Sequence, residues 1–370
     1  MKRKKILVVF GTRPEAIKMA PVVKELRKEK SSFQTVVCVT GQHRHMLDQV
    51  LKLFKIRPDM DLNLMQENQS LPSLTARALV ILTETLQRVK PDLVLVQGDT
   101  TTAMVAALAA FYQKIPVGHV EAGLRTHDIY NPFPEEVNRC IISAMASFNF
   151  APTRISYQAL IDQGISKQRV LLTGNTVVDA LRMIVKSGKF AKVNIALKKN
   201  SRLILVTAHR RENFGRPLEQ ICDALNAIVK RNPDVEVVYP VHLNPNVKNT
   251  VYERLAGKER IHLIAPTEYD QLVYLIKNAY LILTDSGGIQ EEAPAFGKPV
   301  LVMREETERP EGIEAGVARL VGTNTAIIVK EVEKLLTREA VYNKMSRAVS
   351  PYGDGKAAER IIKHLKFHLG

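Results

Sequence analysis

Short apolar runs that alternate with longer segments of helical period constrain the fold of this chain most. The runs are rich in Val, Ile and Leu and span residues 5–10, 34–40, 92–97, 115–120, 202–207, 235–241, 261–265 and 279–285. Strands that are apolar on both faces are typical of parallel sheets covered by helices on each side. The pattern therefore predicts an α/β fold of doubly wound, Rossmann-like parallel sheets.

The segments between the runs indicate helices and a domain boundary. Residues 74–89 and 101–112 carry apolar side chains at spacings of three and four, which predicts crossover helices. A chain of 370 residues is too long for one ordinary domain. The strand pattern pauses near residue 173 and restarts at Arg202 after a polar, Lys-rich stretch. We expect one Rossmann-like domain over residues 1–173 and a second over residues 174–353.

Charge and cysteine content limit the partners and the compartment. Lys and Arg total 53 against 38 Asp and Glu, a formal charge of +15, which predicts an anionic partner: nucleic acid, a membrane surface or a phosphorylated metabolite. The cysteines Cys38, Cys140 and Cys222 are widely spaced, which favours a reducing cytosol over a disulfide framework or zinc ribbon. The longest uncharged stretches, 100–113 and 140–153, are shorter than the roughly 18 residues that span a bilayer. We expect a soluble, cytoplasmic protein.

Polar residues and glycines follow the predicted strands. In open parallel sheets, ligands bind beyond the carboxyl ends of strands. The segments at those positions are 11–15, 41–44, 98–101, 121–125, 209–212, 242–245 and 285–288. Their acids, bases and glycines predict one ligand-binding cleft faced by both domains.

Two of these segments suit a diphosphate. In DSGGIQEE (285–292), the glycines permit close backbone approach, and the N–H groups of the following helix would face an anion. Glu291 or Glu292 could bind ribose hydroxyls there, although an ordinary capped helix start explains this motif equally well. Arg13 in GTRPE and Arg309 in TERPEG offer guanidinium donors, although a loop arginine is more often solvated.

Asp99, Glu121 and Glu135 are candidates for proton transfer because burial at a strand or helix end can tune a carboxylate. Singly, Asp99 as an N-cap and Glu135 as a helix-dipole partner are the more common roles; together with His209 they favour catalysis. No HxH, HExxH or clustered Asp triplet is present, so we expect no metal. The sequence also lacks GxGxxG and GxxxxGK[ST], which lowers the case for a nicotinamide dehydrogenase or a P-loop ATPase.

A series of long motifs runs in order from residue 6 to about residue 312: GTRPEAIKMAPVV, TGQHRHMLDQVL, VQGDTTTAMVAALAA, GHVEAGLRT, NPFPEEVNR, TGNTVVDAL, TAHRRENFG, PVHLNPNV, TDSGGIQEEAPAFGKPVLVMR and ETERPEG. Together they resemble the non-hydrolysing UDP-N-acetylglucosamine 2-epimerases of bacteria. The resemblance implies two Rossmann-like domains of glycosyltransferase-B type, with a last helix at 354–370 crossing back to the N-terminal domain. It implies a homodimer without cofactor that interconverts UDP-GlcNAc and UDP-ManNAc through 2-acetamidoglucal, for cell-envelope polysaccharides.

The resemblance also implies roles for individual residues. The catalytic ones are Asp99, Glu121, Glu135 and His209. The substrate-binding ones are Arg13, Lys18, Ser286, Gly287, Gly288, Glu292 and Arg309. A second UDP-GlcNAc acts as an allosteric activator in the family, and its site matches Gln42, His43, Gln69, Arg210 and His242. Phe133 and Leu272 depart from the family pattern, which leaves the uracil contacts open.

Other classes explain less of the sequence. A hydrolysing 2-epimerase that releases ManNAc and UDP would share the fold and most motifs. A B-type glycosyltransferase would need an acceptor site, for which no membrane-facing apolar segment is evident. A nucleic-acid-binding protein is supported by net charge alone, since aromatic interleaving and a known binding module are missing. We therefore expect neither nucleic acid nor membrane as a partner.

Overall fold

The computed structural model describes residues 3–41, 44–64, 69–188, 191, 193 and 195–370. The chain divides into two compact units. Unit 1 comprises Met1–Met183 with Tyr352–Gly370, and unit 2 comprises Ile184–Pro351. One parallel sheet forms the centre of each unit.

The sheet of unit 1 has seven strands. Its strands are β1 (Lys4–Phe10), β2 (Phe33–Val39), β3 (Met60–Asp61), β4 (Leu93–Gln97), β5 (Val117–Val120), β6 (Phe148–Ala151) and β7 (Val170–Leu172). They pair in the order β3-β2-β1-β4-β5-β6-β7, and each pair is parallel. The helices are α1 (Arg13–Lys28), α2 (Arg44–Leu53), α3 (Leu71–Val89), α4 (Thr101–Tyr112), α5 (Glu135–Met145), α6 (Arg154–Asp162) and α7 (Thr176–Ser187).

Unit 2 repeats this arrangement with one strand fewer in its sheet. Its strands are β8 (Arg202–Thr207), β9 (Val235–Pro240), β10 (Ile261–Ile264), β11 (Leu281–Thr284), β12 (Val300–Val302) and β13 (Ala318–Leu320). They pair in parallel in the order β10-β9-β8-β11-β12-β13. The helices are α8 (Arg216–Arg231), α9 (Pro245–Leu255), α10 (Tyr269–Asn278), α11 (Gly287–Glu292), α12 (Pro310–Glu314), α13 (Thr325–Thr337) and α14 (Glu339–Ser346).

The last helix, α15 (Ala357–Leu369), belongs to unit 1 and packs against α1. Asp179 in α7 accepts hydrogen bonds from the backbone N–H groups of Ala357 (3.2 Å) and Ala358 (2.9 Å). These bonds satisfy donors that the first turn of a helix leaves open. Lys366 adds an ion pair with Glu29 at 2.6 Å. The C-terminal helix is thus fixed at both ends to the first unit.

Strand order reverses at the middle of each sheet, which decides where a ligand can bind. From β1 the chain builds outward through β2 and β3, and then returns to place β4 on the other side of β1. In unit 2 the same reversal occurs between the neighbouring strands β8 and β11. Connections diverge at such a point and leave a crevice beyond the carboxyl ends of the two strands. The loops after β1, β4, β8 and β11 therefore border the crevices.

The predicted parallel α/β class is confirmed, and each apolar run overlaps one strand: β1, β2, β4, β5, β8, β9, β10 or β11. The two predicted crossover helices are α3 and α4, and the predicted C-terminal helix is α15. The short strands β3, β6, β7, β12 and β13 were not predicted. Four of them have only two or three residues, too few for a periodic pattern. The fifth, β6, has four residues, as many as the predicted β5, β10 and β11.

Burial determines the protonation state of two cysteine thiols. Cys38 and Cys222 are free thiols inside the cores, where burial raises the pKa of each to about 12. Neither is a thiolate at neutral pH. In the described part of the chain, every helix is too short or too polar to cross a membrane.

Candidate active site

A buried carboxylate joins the two loops that border the crevice of unit 1. Glu15, in the first turn of α1, accepts hydrogen bonds from the backbone N–H groups of Gly11 (3.0 Å) and Thr12 (2.7 Å). The Thr100 hydroxyl, beyond β4, donates to its other oxygen at 2.8 Å. Burial raises the pKa of Glu15, and these bonds oppose the rise. Glu15 was not predicted as a site residue, although the capping box T-x-x-E signals it.

Arg13 stands at the first position of α1, directly after this anchored turn, and is half-buried. Within the described residues its guanidinium has no hydrogen-bond or ion-pair partner. Its donors therefore remain available to an anion at the mouth of the crevice.

Asp99 is held by a buried cation from another element. Its carboxylate lies 2.7 Å from Nη2 of Arg139 in α5, and its carbonyl accepts a bond from Nδ2 of Asn138 at 2.9 Å. The N-cap of α4 is Thr100, whose hydroxyl accepts from the N–H of Ala103, so an N-cap role for Asp99 is wrong. Arg139 was missed because it follows Asp99 at a distance that no local pattern covers.

Arg139 also links Asp99 to the loop before α5. Its Nη1 lies 3.3 Å from Glu136, which is 3% exposed. Glu136 accepts bonds from the backbone N–H groups of Thr126 (3.1 Å) and His127 (3.2 Å). The predicted catalytic Glu135 is half-buried at the first position of α5. The network thus joins Asp99, Arg139 and Glu136, the residue that follows the candidate acid Glu135.

Glu121 follows β5 with an unusual backbone conformation. Its φ is +66°, a region that residues other than glycine seldom occupy and that is found often at functional sites. Lys18 Nζ forms an ion pair with one carboxylate oxygen, and Nε2 of Gln97 donates to the other. The side chains of Lys18 and Glu121 are 12% and 7% exposed. The structure thus pairs Lys18, predicted near phosphates, with a candidate catalytic acid.

A second buried carboxylate organises the crevice of unit 2. Asp285, after β11, is fully buried and accepts bonds from the backbone N–H groups of His209 and Arg210, each at 2.8 Å. Nδ2 of Asn213 donates to the same oxygen at 3.1 Å. These bonds tie the loop after β8 to the start of α11. Asp285 was noted as part of DSGG, but its role as an anchor was not predicted.

The His209 imidazole lies between charged and aromatic neighbours. It stacks on His242, with ring centroids 5.4 Å apart, and its Nδ1 is 3.6 Å from Asp285. Burial lowers the pKa of His209; Asp285 opposes this, and His242 and Arg210 add to it. The lowered pKa favours the neutral imidazole near pH 7, which can accept a proton. The predicted catalytic His209 and the predicted allosteric Arg210 and His242 are neighbours.

The start of α11 is open and lies beside arginine side chains. Ser286 occupies the N-cap position, but its hydroxyl makes no capping bond, so the reading as an ordinary side-chain cap is wrong. A Cβ at Gly287 would lie 3.8 Å from Nη2 of Arg210 and 3.9 Å from Cζ of Arg309. Arg309 pairs with Glu291, which is 1% exposed. Free backbone N–H groups and guanidinium groups together suit an anion.

Glu308 holds these arginine side chains in place. Its carboxylate lies 3.4 Å from Arg210 and 3.5 Å from Arg304, with Arg309 at 3.9 Å. Burial raises the pKa of Glu308, but the three guanidinium groups outweigh it and hold the pKa below its usual range. Arg304 also pairs with Glu212, and Arg309 with Glu291, so carboxylates hold all three guanidinium groups in place beside α11. Arg304 and Glu308 were not predicted.

Glu292, the residue predicted to bind ribose, is buried near Gly288. Glu292, on α11, is 7% exposed, and a Cβ at Gly288 would lie 3.8 Å from its Oε1.

Among the predicted activator residues, Gln69 accepts a hydrogen bond from Arg77, whereas Gln42 and His43 lie outside the described residues. His, Cys, Asp and Glu side chains form no group of three or more that could hold a metal ion, as far as the structure describes them.

Comparison with known proteins identifies what this arrangement resembles. The family model for UDP-N-acetylglucosamine 2-epimerase matches residues 24–366. A protein of that name from Campylobacter jejuni is 53% identical over 98% of this chain and 97% of its own length.

Two solved structures extend the match to the fold. The crystal structure of UDP-GlcNAc 2-epimerase from Neisseria meningitidis bound to UDP-GlcNAc has a TM-score of 0.90, with 47% identity over 98% of this chain and 99% of its own. The enzyme of that name from Methanocaldococcus jannaschii, in complex with UDP-GlcNAc and UDP, has a TM-score of 0.81, with 33% identity over 98% and 99%.

The titration of His209 tests the electrostatics of unit 2. We expect the pKa of its imidazole to lie below the ordinary 6.5, because burial disfavours the charged ring. In Asp285→Asn it should move lower still, since the variant removes the neighbouring negative charge. NMR titration of the imidazole carbon-bound protons, assigned by loss of one signal in His209→Asn, measures both values. A pKa above 6.5 in the wild type, or an upward shift in Asp285→Asn, would contradict this description.

Proposed function

Because the chain belongs to the UDP-N-acetylglucosamine 2-epimerase family, we propose that it interconverts UDP-GlcNAc and UDP-ManNAc without hydrolysis. The observation that carries the proposal is a set of carboxylates beyond the strands of unit 1, of which Asp99 and Glu121 are each held by a cation. In the cell, the product would supply cell-envelope polysaccharide synthesis.

Inversion at C2 requires an indirect route. The C2 proton is not adjacent to a carbonyl, so it is not acidic in the substrate. Departure of UDP from C1 leaves positive charge on the anomeric carbon, which acidifies the neighbouring proton. Anti elimination then gives 2-acetamidoglucal and UDP, and readdition with protonation of the opposite face gives the epimer. Elimination and readdition involve no oxidation or reduction, so this route needs no redox cofactor.

Stabilisation of the departing diphosphate is the first requirement. We assign it to Arg13, His209, Arg309 and the start of α11 at Ser286, Gly287 and Gly288. The open N–H groups of α11 and the arginine side chains around Glu308 support this assignment. One well-placed donor of this kind is typically worth about 3 kcal/mol in the transition state. Glu292 would bind the ribose.

Proton transfer on the two faces of C2 is the second requirement. We assign it to Asp99, Glu121 and Glu135. Lys18 and Gln97 orient the carboxylate of Glu121, and Arg139 orients that of Asp99. Fixed carboxylates avoid reorganisation when the proton moves. Lys18 and Arg139 thus serve as positioning residues.

Deuterium exchange tests the reaction and the acids together. Incubated with UDP-GlcNAc in deuterated water, the protein should form UDP-ManNAc that carries deuterium at C2.

In Asp99→Asn, Glu121→Gln and His209→Asn, turnover should fall about a hundredfold or more, since each variant removes a group that carries a proton or contacts the diphosphate. Mass spectrometry and NMR of the products measure both quantities.

The product distribution separates the alternatives. Free ManNAc would indicate a hydrolysing epimerase, and the absence of exchange would leave transfer or binding. Lys167→Glu, at an exposed position of unit 1, is a control that should keep normal turnover. Near-normal turnover in all three site variants would overturn the assigned roles.

Arg139 supplies a test of positioning. We expect Arg139→Met to lower kcat about tenfold to a hundredfold with little change in KM, because Asp99 loses the guanidinium that orients it. Arg139→Lys, which keeps the charge, should recover part of kcat. Steady-state kinetics of both variants measure the split. An equal loss of kcat in Arg139→Met and Arg139→Lys, or a normal kcat in Arg139→Met, would show that the ion pair does not serve catalysis.

Regulation by substrate follows from the resemblance. We propose that a second UDP-GlcNAc bound near Gln42, His43, Gln69, Arg210 and His242 activates a homodimeric enzyme. The reaction from UDP-ManNAc alone should then be slow until UDP-GlcNAc is added, and His242→Ala should weaken this response. Progress curves with and without added UDP-GlcNAc measure it. A rate that is independent of UDP-GlcNAc would refute the regulation while leaving the epimerase assignment intact.

A further inference from the structure

A basic cavity of about 880 Å³ lies in unit 1 at the amino ends of its strands. Arg3, Lys4 and Lys5, at the start of β1, line it together with Ser31 and Ser32 before β2. The candidate catalytic residues lie at the other end of the sheet, about 20 Å away along β1 at 3.3 Å per residue. The cavity is therefore separate from the candidate active site.

Its cations come from distant parts of the sequence. Lys90, at the C-cap of α3, and Lys366, on α15, line the same cavity as the residues that begin β1. Only folding brings these side chains together, so the cavity is a tertiary feature and not simply the basic run near residue 3. The proposed epimerase reaction has no use for that run.

The cationic groups that line the cavity are restrained to different degrees. Lys5 Nζ donates to the carbonyl of Val89 at 2.7 Å, and Lys366 pairs with Glu29 at 2.6 Å. Among the described residues, Arg3, Lys4 and Lys90 have no ion pair. One acidic side chain in the lining, Asp92, accepts a bond from the backbone N–H of Lys5 at 2.7 Å. Five cations thus line this concave space, and Asp92 together with Glu29, the partner of Lys366, offsets part of their charge.

We propose that this cavity binds a small, soluble anion that carries two or more phosphate groups. Several cations converging from separate elements can contact several phosphates at once, whereas one phosphate would engage only part of the set. The volume lies within the range of about 300–1,000 Å³ of small-molecule sites. The concave shape, with the hydroxyls of Ser31 and Ser32 in the lining, favours a free anion over a flat membrane surface.

Inorganic tripolyphosphate is the probe. Isothermal titration of the full chain, with UDP present in excess to occupy the nucleotide site, should give saturable binding that weakens with added salt. The double variant Lys4→Glu/Lys90→Glu should weaken binding about tenfold or more, since it reverses two charges in the cavity. The matched control Lys167→Glu/Lys230→Glu changes the net charge equally at exposed positions outside the lining and should change binding less than about twofold.

The outcomes separate this site from general surface charge and from a membrane. Equal weakening in the two double variants, or no saturable binding, would overturn the proposal. So would co-sedimentation with phosphatidylserine vesicles that depends on Lys4 and Lys90 when tripolyphosphate does not bind. If the double variant unfolds, Arg3→Ala supplies the same comparison from another lining residue. Normal epimerase turnover in the cavity variants would show that this site is independent of the proposed reaction.

Discussion

The reversal of strand order at the middle of each sheet is the constraint on which the rest of the structure depends. Because β4 joins the sheet beside β1, and β11 beside β8, the loops after these strands separate and leave a crevice. The backbone groups in those loops cannot pair with a neighbouring strand. Other groups must therefore satisfy them, and in each unit that group is a buried carboxylate.

The two carboxylates solve the same problem in different ways. Glu15 reaches back from α1 to two N–H groups of its own loop and receives the Thr100 hydroxyl from the loop across the crevice. Asp285 reaches forward from β11 to two N–H groups in the loop after β8. Each fixes a loop that borders the crevice of its unit. Rigid support of this kind lets nearby side chains meet a transition state without reorganisation.

The positively charged side chains fall into separate groups with different partners. Arg139 and Lys18 are paired inside unit 1 with candidate catalytic acids, and Arg304 and Arg309 are paired around Glu308 in unit 2. The basic run near residue 3 lies at the opposite edge of its sheet. A formal charge of +15 thus indicates the sign of the ligands but not where they bind. The thiols of Cys38 and Cys222 are buried and protonated, so neither is a nucleophile at neutral pH.

The sequence by itself determined the α/β class, the long strands and the polar residues at their ends, because hydrophobic periodicity and turn chemistry are local. It also predicted the reaction by resemblance, through long motifs such as DSGGIQEE. Tertiary structure alone decided which groups pair: Arg139 with Asp99, Lys18 with Glu121, and Arg210 with Glu308. These partners are far apart in the chain, and parallel strands bring their ends together only through crossover connections. No local pattern records that distance, so the supporting residues of the site became evident only in the folded chain.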